Sequence, residues 1–387
     1  MKRIKIAYVI NTMLVAGAET VVFEMASHLD HERFEPIVYA LFDHAKERPS
    51  LLPRFREAGI PVIFVSSRRV GIARSAIALR KLFKESLPDI VHVHLPDAVI
   101  AGGMAAASLR VPFIIHEHQV HTFHSRKIRL AFRLLRPFSA LSVCYATGVE
   151  KQIFGTVHEI AEPPQGIERK SCTIHNGVDI ERIEKARSTD HHSKRAEFGV
   201  GEDDILVVSV ARFIEWKGHR DLIEAFAIAS GDPRLKLLIA GDGQLRPDLL
   251  ARAQELGLSE RIIMPGIRSD IYETLSVADI FSLVFSYPEG TDAEAIGVAG
   301  FEAMASGLPV LVGAYTDASL YIRDGENGIL VPPRNTAALA AAITRLALDP
   351  IERERIGENA RAYVTKELNW SNIIRIYEAI YKIIVRI

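Results

Sequence analysis

Apolar positions fall into short continuous runs separated by stretches in which they recur every three or four residues. Runs at 4–10, 35–41, 61–65, 89–94, 113–116, 141–145 and 172–175 are rich in Val and Ile and predict strands; 19–29, 51–58 and 99–109 between them predict helices. The alternation lapses over the charged segment 179–204, which predicts an interdomain linker. It resumes with strands at 205–210, 236–240, 262–264, 280–284, 309–313 and 328–331. Helices are expected at 220–229, 247–256, 270–276 and 300–305, and three more close the chain at 336–347, 351–366 and 370–387. Strands alternating with helices predict parallel sheets, and 387 residues exceed one ordinary core. The expected fold is α/β: two Rossmann-like, doubly wound domains facing a central cleft, with ligands at the carboxyl ends of the strands.

Composition refines this picture in three places. Two cysteines, Cys144 and Cys172, argue against a disulfide framework and suit a reducing cytoplasm. The apolar run at 4–10 is too short for a signal peptide, and no run reaches the ~20 residues of a membrane span. Net charge is −1 but uneven: residues 1–183 hold 24 Lys and Arg against 18 Asp and Glu, the remainder 23 against 30. A basic half and an acidic half suggest domains with different partners, nucleic acid not among them.

The richest stretch for chemistry runs from Glu294 to Glu302. A helix is expected to begin near Val298 and to stop at Gly307 and Pro309, so two carboxylates eight positions apart flank its start. A helix N-terminus offers free N–H groups and the positive end of a dipole, which suit phosphate. Carboxylates beside it suit the hydroxyls of ribose or sugar, and the combination suits a nucleotide-sugar. Three loops that follow strands add to this. Arg212 and Lys217-Gly218 can clamp a diphosphate, the Arg as a fork and the Lys as a point charge. Gly241-Asp242-Gly243 permits close approach of a ligand. Ala16-Gly17-Ala18-Glu19 does the same after the first strand, though alone it reads equally as a tight turn. His116-Glu117-His118 follows a strand, where an imidazole can orient a hydroxyl or pass a proton. His92 and His94 form a second His-x-His pair, with His121 and His124 nearby. With no cysteine and no helical His-Glu-x-x-His to complete a zinc set, no metal is expected.

These residues resemble the retaining GT-B glycosyltransferases of glycosyltransferase group 1, also called family 4. The resemblance covers most of the chain. It rests on Ala16-Gly17-Ala18-Glu19, Pro112 with His118, Asn176-Gly177-Val178-Asp179, Arg212 with Lys217-Gly218, and Gly241-Asp242-Gly243. It continues through Pro265-Gly266, the Glu294/Glu302 pair, and Asp324-Gly325-Glu326-Asn327-Gly328 with Val331-Pro332. It implies an acceptor-binding domain of residues 1–183 plus 371–387, and a sugar-nucleotide-binding domain of residues 200–370. Arg212 and Lys217 would hold the diphosphate, Glu302 the ribose and Glu294 the transferred sugar. Gly297 and Val298 would offer N–H groups to phosphate, and backbone at Ile267 and Arg268 would contact the base. Gly241, Gly243 and Gly17 would lie against the donor, and His118 near the reacting carbon. The implied reaction moves a sugar from a nucleoside diphosphate, UDP ahead of GDP or ADP, to a hydroxyl of a sugar or lipid-linked acceptor. It proceeds on one face with retention, the departing phosphate taking the acceptor's proton, and needs no cofactor.

Two basic segments suit an anionic membrane or a lipid-diphosphate: Arg68, Arg69, Arg74, Arg80, Lys81 and Lys84 in one, and Arg126, Arg129, Arg133 and Arg136, spaced along one helix face, in the other. The expected location is cytoplasmic, with peripheral attachment to the inner face of the membrane. The competing readings are another GT-B enzyme, such as a sugar-nucleotide epimerase or phosphorylase, and a non-catalytic nucleotide-sugar binding protein. A dinucleotide oxidoreductase is disfavoured because neither half carries Gly-x-Gly-x-x-Gly.

Overall fold

The computed structural model describes residues 2–43, 49–118, 125–286, 296–315 and 318–386. It divides into two compact units, Met1–Gly177 with Trp370–Ile387, and Val178–Asn369.

The first unit runs β1 (Ile4–Ile10), α1 (Gly17–His28), β2 (Phe34–Ala40), α2 (Leu52–Glu57), β3 (Val62–Phe64), α3 (Ile72–Ser86), β4 (Ile90–His94), α4 (Pro96–Ser108), β5 (Phe113–Glu117), α5 (Arg126–Leu135), β6 (Leu141–Cys144), α6 (Thr147–Phe154) and β7 (Ser171–Thr173). The second runs α7 (Ile180–Ala186), α8 (His191–Glu197), β8 (Ile205–Val210), α9 (His219–Ala229), β9 (Leu235–Ala240), α10 (Arg246–Glu255), β10 (Ile262–Gly266), α11 (Ile271–Ser276), β11 (Ile280–Leu283), α12 (Gly297–Ala305), β12 (Val310–Gly313), α13 (Ala318–Tyr321), β13 (Ile329–Val331), α14 (Thr336–Leu348) and α15 (Pro350–Glu367). The last helix, α16 (Trp370–Arg386), returns to the first unit.

The strands pair in parallel, in the orders β3-β2-β1-β4-β5-β6-β7 and β10-β9-β8-β11-β12-β13. Helices cover both faces, so the central strands are apolar nearly end to end: Ala7 through Ile10 and Leu206 through Val208 are buried. In each sheet the order reverses beside the first strand, between β1 and β4 and between β8 and β11. Crevices for ligands in such sheets lie at these switch points, beyond the strands' carboxyl ends.

Helix α16 is part of the first core. Trp370, Ile373, Tyr377, Ile380 and Tyr381 pack with Tyr8, Ile114, Val143 and Cys172. Tyr381 hydroxyl lies 3.0 Å from that of Tyr8 and 2.8 Å from His92 Nδ1. Gly177 is required where the chain leaves this unit, because a Cβ there would stand 2.6 Å from the Trp370 ring. Cys144 and Cys172 are buried free thiols.

The linker expected over 179–204 is not a linker. The first unit ends at Gly177, and 178–204 belong to the second, where they form α7 and α8. Asp179 caps α7 by accepting from Arg182 N at 3.0 Å, and Asp190 caps α8 by accepting from His192 N at 3.1 Å. The α8 residues are then held by charge. Lys194 pairs with Asp270, and Arg195 donates to Val277 O at 2.8 Å and meets Asp279 at 3.3 Å. Among the described residues no helix is long and apolar enough to cross a membrane.

Candidate functional site

In the second unit the loops at the switch point are meshed backbone to backbone. Phe213 N donates to Asp242 O at 3.0 Å, and Ser286 N to Trp216 O at 3.0 Å. The first bond joins the loop after β8 to the loop after β9, and the second joins it to the segment after β11. Glycines make this approach feasible. Gly218 has φ +67°, and a Cβ on it would stand 1.7 Å from Val284 O; one on Gly241, at φ +145°, would stand 2.0 Å from Ala211 O. Both glycines singled out beside the Arg212/Lys217 pair are thus explained first by packing of the loops on each other.

Arg212 is exposed on this loop and Lys217 half-buried at its end, with Nζ 4.3 Å from the centre of the Phe285 ring. The ring is held by its own backbone, since Phe285 O accepts from Tyr315 hydroxyl at 2.9 Å. Buried His219 fastens the loop from beneath, its Nε2 3.3 Å from Arg212 O. Burial, aided by the charge of Lys217, lowers the His219 pKa to about 4, against the bond to Arg212, so the ring is neutral at pH 7.

Helix α12 starts at Gly297, with φ +69°, after an N-cap, Ile296, that makes no side-chain cap bond. Gly297 and Val298 therefore sit in a first turn that receives no capping bond from the side chain of its N-cap residue. Glu302 is half-buried in the same helix. Glu294 lies outside the described residues, as do His121 and His124. Ile267 and Arg268 follow β10, one strand further out. The Arg268 guanidinium is committed to Asp270 and Glu197, at 2.5 and 2.6 Å, so only its backbone is left for a ligand.

Two motifs of the resemblance prove to be built for folding. Asp324 accepts from Leu330 N at 2.9 Å, Asn327 accepts from Arg323 N at 2.7 Å and donates to Tyr321 O at 2.9 Å, which closes the Asp324–Gly328 loop on itself. Asn176–Asp179 forms the exit from the first unit and the cap of α7.

In the first unit, Gly17 opens α1 at the end of β1, and a Cβ on it would meet no described atom within 4 Å. Packing does not explain this glycine. Glu19 behind it is buried and accepts from Thr12 Oγ1 at 2.8 Å. His116 was placed among ligand-facing side chains by its position after a strand; instead it is buried in β5. His92, His94, His116 and His118 lie on one sheet face, since residues two apart share a face and His94 is in register with His116. The rings of His116 and His118 stack 4.3 Å apart at 8°. His118 Nε2 is 2.9 Å from His94 Nδ1, which leaves its Nδ1 as the atom for a ligand. Burial lowers its pKa to about 4, despite the opposing pull of Glu117, so the ring is neutral at pH 7.

His116 and His118 line a small pocket with Leu95, Pro96, Val99 and Phe132. Leu95 has φ 68° and ψ 151°, a conformation that non-glycine residues avoid and that tends to mark functional sites. No feature of the sequence singled it out.

The expected four-arginine face is corrected at one end. Arg126, Arg129 and Arg133 are exposed on α5, but the helix stops at Leu135, and Arg136 turns inward to buried Glu117 at 2.6 Å. A buried carboxylate needs such a partner, and Arg136 supplies it. On α5 the exposed arginines stand among exposed apolar residues instead: Leu130 is 57% exposed, Leu134 64%, and Phe138 just beyond 71%. The basic residues of the 68–84 segment are exposed along and before α3, while Ala76, Leu79 and Phe83 face the core.

Two parallel-sheet Rossmann-like units, with the last helix returned to the first, define the GT-B class. A solved structure of this class, Anabaena Alr3699/HepE in complex with UDP-glucose, matches with a TM-score of 0.82 at 22% identity, over 98% of this chain and 100% of that one. Residues 15–182 match the family model described as Glycosyltransferase Family 4, and 190–363 the one described as Glycosyl transferases group 1. With most of its length so matched, the chain belongs to the group 1 glycosyltransferases. Among curated relatives, N-acetyl-alpha-D-glucosaminyl L-malate synthase of Bacillus anthracis is 25% identical over 77% of this chain and 75% of its own. UDP-Gal:alpha-D-GlcNAc-diphosphoundecaprenol alpha-1,3-galactosyltransferase of Escherichia coli is 25% identical over 96% of this chain and 94% of its own.

Proposed function

We propose that this protein transfers a sugar from a nucleoside-diphosphate sugar, UDP ahead of GDP or ADP, to a hydroxyl of a sugar or lipid-linked acceptor, with retention of configuration, in polysaccharide, lipopolysaccharide or glycolipid synthesis. The observation that carries the reading is the meshing of the Arg212–Gly218 loop onto the β11 end at the switch point of the second sheet, in the segment that leads to the α12 N-terminus. Two cations on one loop and a helix N-terminus whose N-cap side chain makes no bond suit a diphosphate. We assign the second unit to the donor. Arg212 and Lys217 take the diphosphate, Gly297 and Val298 its oxygens, and Glu302 the ribose; Glu294 takes the sugar, and Gly241, Gly243 and the backbone of Ile267 and Arg268 border the nucleotide. We assign the first unit to the acceptor, with His118 presenting Nδ1 to a sugar hydroxyl, and keep Gly17 as a residue that lies against the donor.

In this reading Arg212, Lys217 and the helix end stabilise charge that grows on the leaving diphosphate. The diphosphate oxygen takes the acceptor's proton as the new bond forms, so no metal and no dedicated base are invoked. The UDP-glucose bound to Alr3699/HepE and the UDP-Gal named for the E. coli relative support the choice of base. The diphosphoundecaprenol named for that relative, together with the arginine-flanked apolar residues of α5, supports a lipid-linked acceptor and peripheral attachment to the cytoplasmic face of a membrane.

The test is Lys217→Ala, assayed for sugar transfer from a panel of donors. A fall in turnover of at least 100-fold is expected; a change within threefold, under roughly 1 kcal/mol, refutes the clamp. Product analysis on the same panel distinguishes a transferase from an epimerase, a phosphorylase or a silent binder.

A further inference from the structure

Three imidazoles in the first unit meet with atoms to spare. His92, His94 and His116 are each at most 1% exposed, and one nitrogen from each lies within 4.8 Å of the other two. The Nε2 atoms of His92 and His94 and both nitrogens of His116 are buried without a hydrogen-bond partner among the described residues. Burying one polar atom without a partner costs about 1–3 kcal/mol, so four in one place call for an occupant. The opposite edges of two rings are already held. His92 Nδ1 is 2.8 Å from Tyr381 hydroxyl, and His94 Nδ1 is 2.9 Å from His118 Nε2. This is the outer shell that metal-ligating histidines carry, with one ring nitrogen for the metal and the other for an orienting partner.

We propose that His92, His94 and His116 form a binding site for a divalent first-row transition cation, Zn²⁺ being the ion for which three imidazoles are a native donor set. Zn–N bonds of about 2.0–2.1 Å at tetrahedral angles place ligand nitrogens about 3.4 Å apart. Closing the observed set therefore takes a shortening of about 1.4 Å at most between nitrogens, together with rotation of rings that now lie 20–32° from parallel. Of the three, His116 alone lines the small pocket under Leu95. The role is structural: the ion ties β4 to β5 and, through Tyr381, to α16. The sugar-transfer reading does not depend on it, nor it on that reading.

The full-length chain, stripped with a chelator and dialysed, is titrated with Zn²⁺ by calorimetry, and its thermal midpoint is followed with and without the ion. One equivalent per chain and a rise of several degrees are expected. Tyr381→Phe keeps all three ligands and should weaken binding about 10–100-fold. His116→Phe keeps the ring stack and should abolish it, whereas His192→Ala, at the exposed His192–Glu202 pair, should leave it unchanged. Co²⁺ added to the wild-type protein should give the strong visible absorption of a tetrahedral site, a readout that needs no variant. Absence of both stoichiometric binding and that absorption, or full retention of binding in folded His116→Phe, overturns the site.

Discussion

Replacing Gly218 by Ala puts the meshed loops to a quantitative test. Gly218 (φ +67°) and Gly257 (φ +68°) share a backbone conformation but not surroundings. Gly257, just past α10, has no described atom within 4 Å of a would-be Cβ, so Gly257→Ala measures the left-handed penalty alone, about 1–2 kcal/mol. Gly218→Ala adds a methyl 1.7 Å from Val284 O and 2.9 Å from its carbonyl carbon. Carbon and oxygen settle no closer than about 3.3 Å, so the loop and the end of β11 must part by about 1.6 Å. Overpacking costs about 1–3 kcal/mol when side chains can yield, and here both sides are backbone. Gly218→Ala should therefore destabilise the second unit by about 3–5 kcal/mol, at least 2 more than Gly257→Ala. Urea unfolding followed by fluorescence of Trp216, two residues away and one of two tryptophans, measures both. At low temperature, where both variants are folded, Gly218→Ala should also lose at least tenfold in UDP affinity while Gly257→Ala keeps it. If the two variants unfold within about 0.5 kcal/mol of each other, the close approach is wrong.

Stability should rise with pH between about 4 and 6.5. The folded-state pKa of His219 lies near 4, below its unfolded value near 6.5, so in that window the unfolded chain binds the extra proton. Wild type should lose about 3 kcal/mol more than His219→Gln between pH 7 and pH 4, all of it as pH falls through that window; parallel curves would show the ring to be solvated. Replacing Arg126, Arg129 and Arg133 by Glu should abolish co-sedimentation with anionic vesicles, and changing Leu130, Leu134 and Phe138 to Ser should weaken it even at low salt. Wild-type binding no stronger to anionic than to neutral vesicles would remove the membrane from the proposal.

The strands and long helices were legible because each buries a near-continuous or evenly spaced set of apolar side chains. Helices α7 and α8 were missed for the opposite reason. They are short and charged, and no α8 residue is buried, so the period carries no signal. Their caps, Asp179 and Asp190, were the readable mark. Arg136 was misplaced because helical spacing was counted past the end of α5, into a tight turn at Pro137. The residue pairs at 92/94 and 116/118 announced common faces, but only the register of β4 against β5 shows that all four rings meet. The aromatic hydroxyls of α16 could not be connected to them from spacing, since hundreds of residues intervene. At the candidate donor site, residue types and their places after strands were readable, whereas the backbone contacts that demand Gly218 and Gly241 were not.

The return of α16 sets an order of events during synthesis. Once Gly177 is made, the ribosome must add the 192 residues of Val178–Asn369 before Trp370 exists. At roughly 5–20 residues per second this takes about 10–40 seconds. For that interval the sheet face bearing Tyr8, Ile114, Val143 and Cys172 has α1 and α2 in its core but lacks α16, while the uninterrupted second unit can finish. The half begun first is thus completed last, and a nascent chain released before Trp370 would carry a finished second unit beside a first whose core lacks one helix.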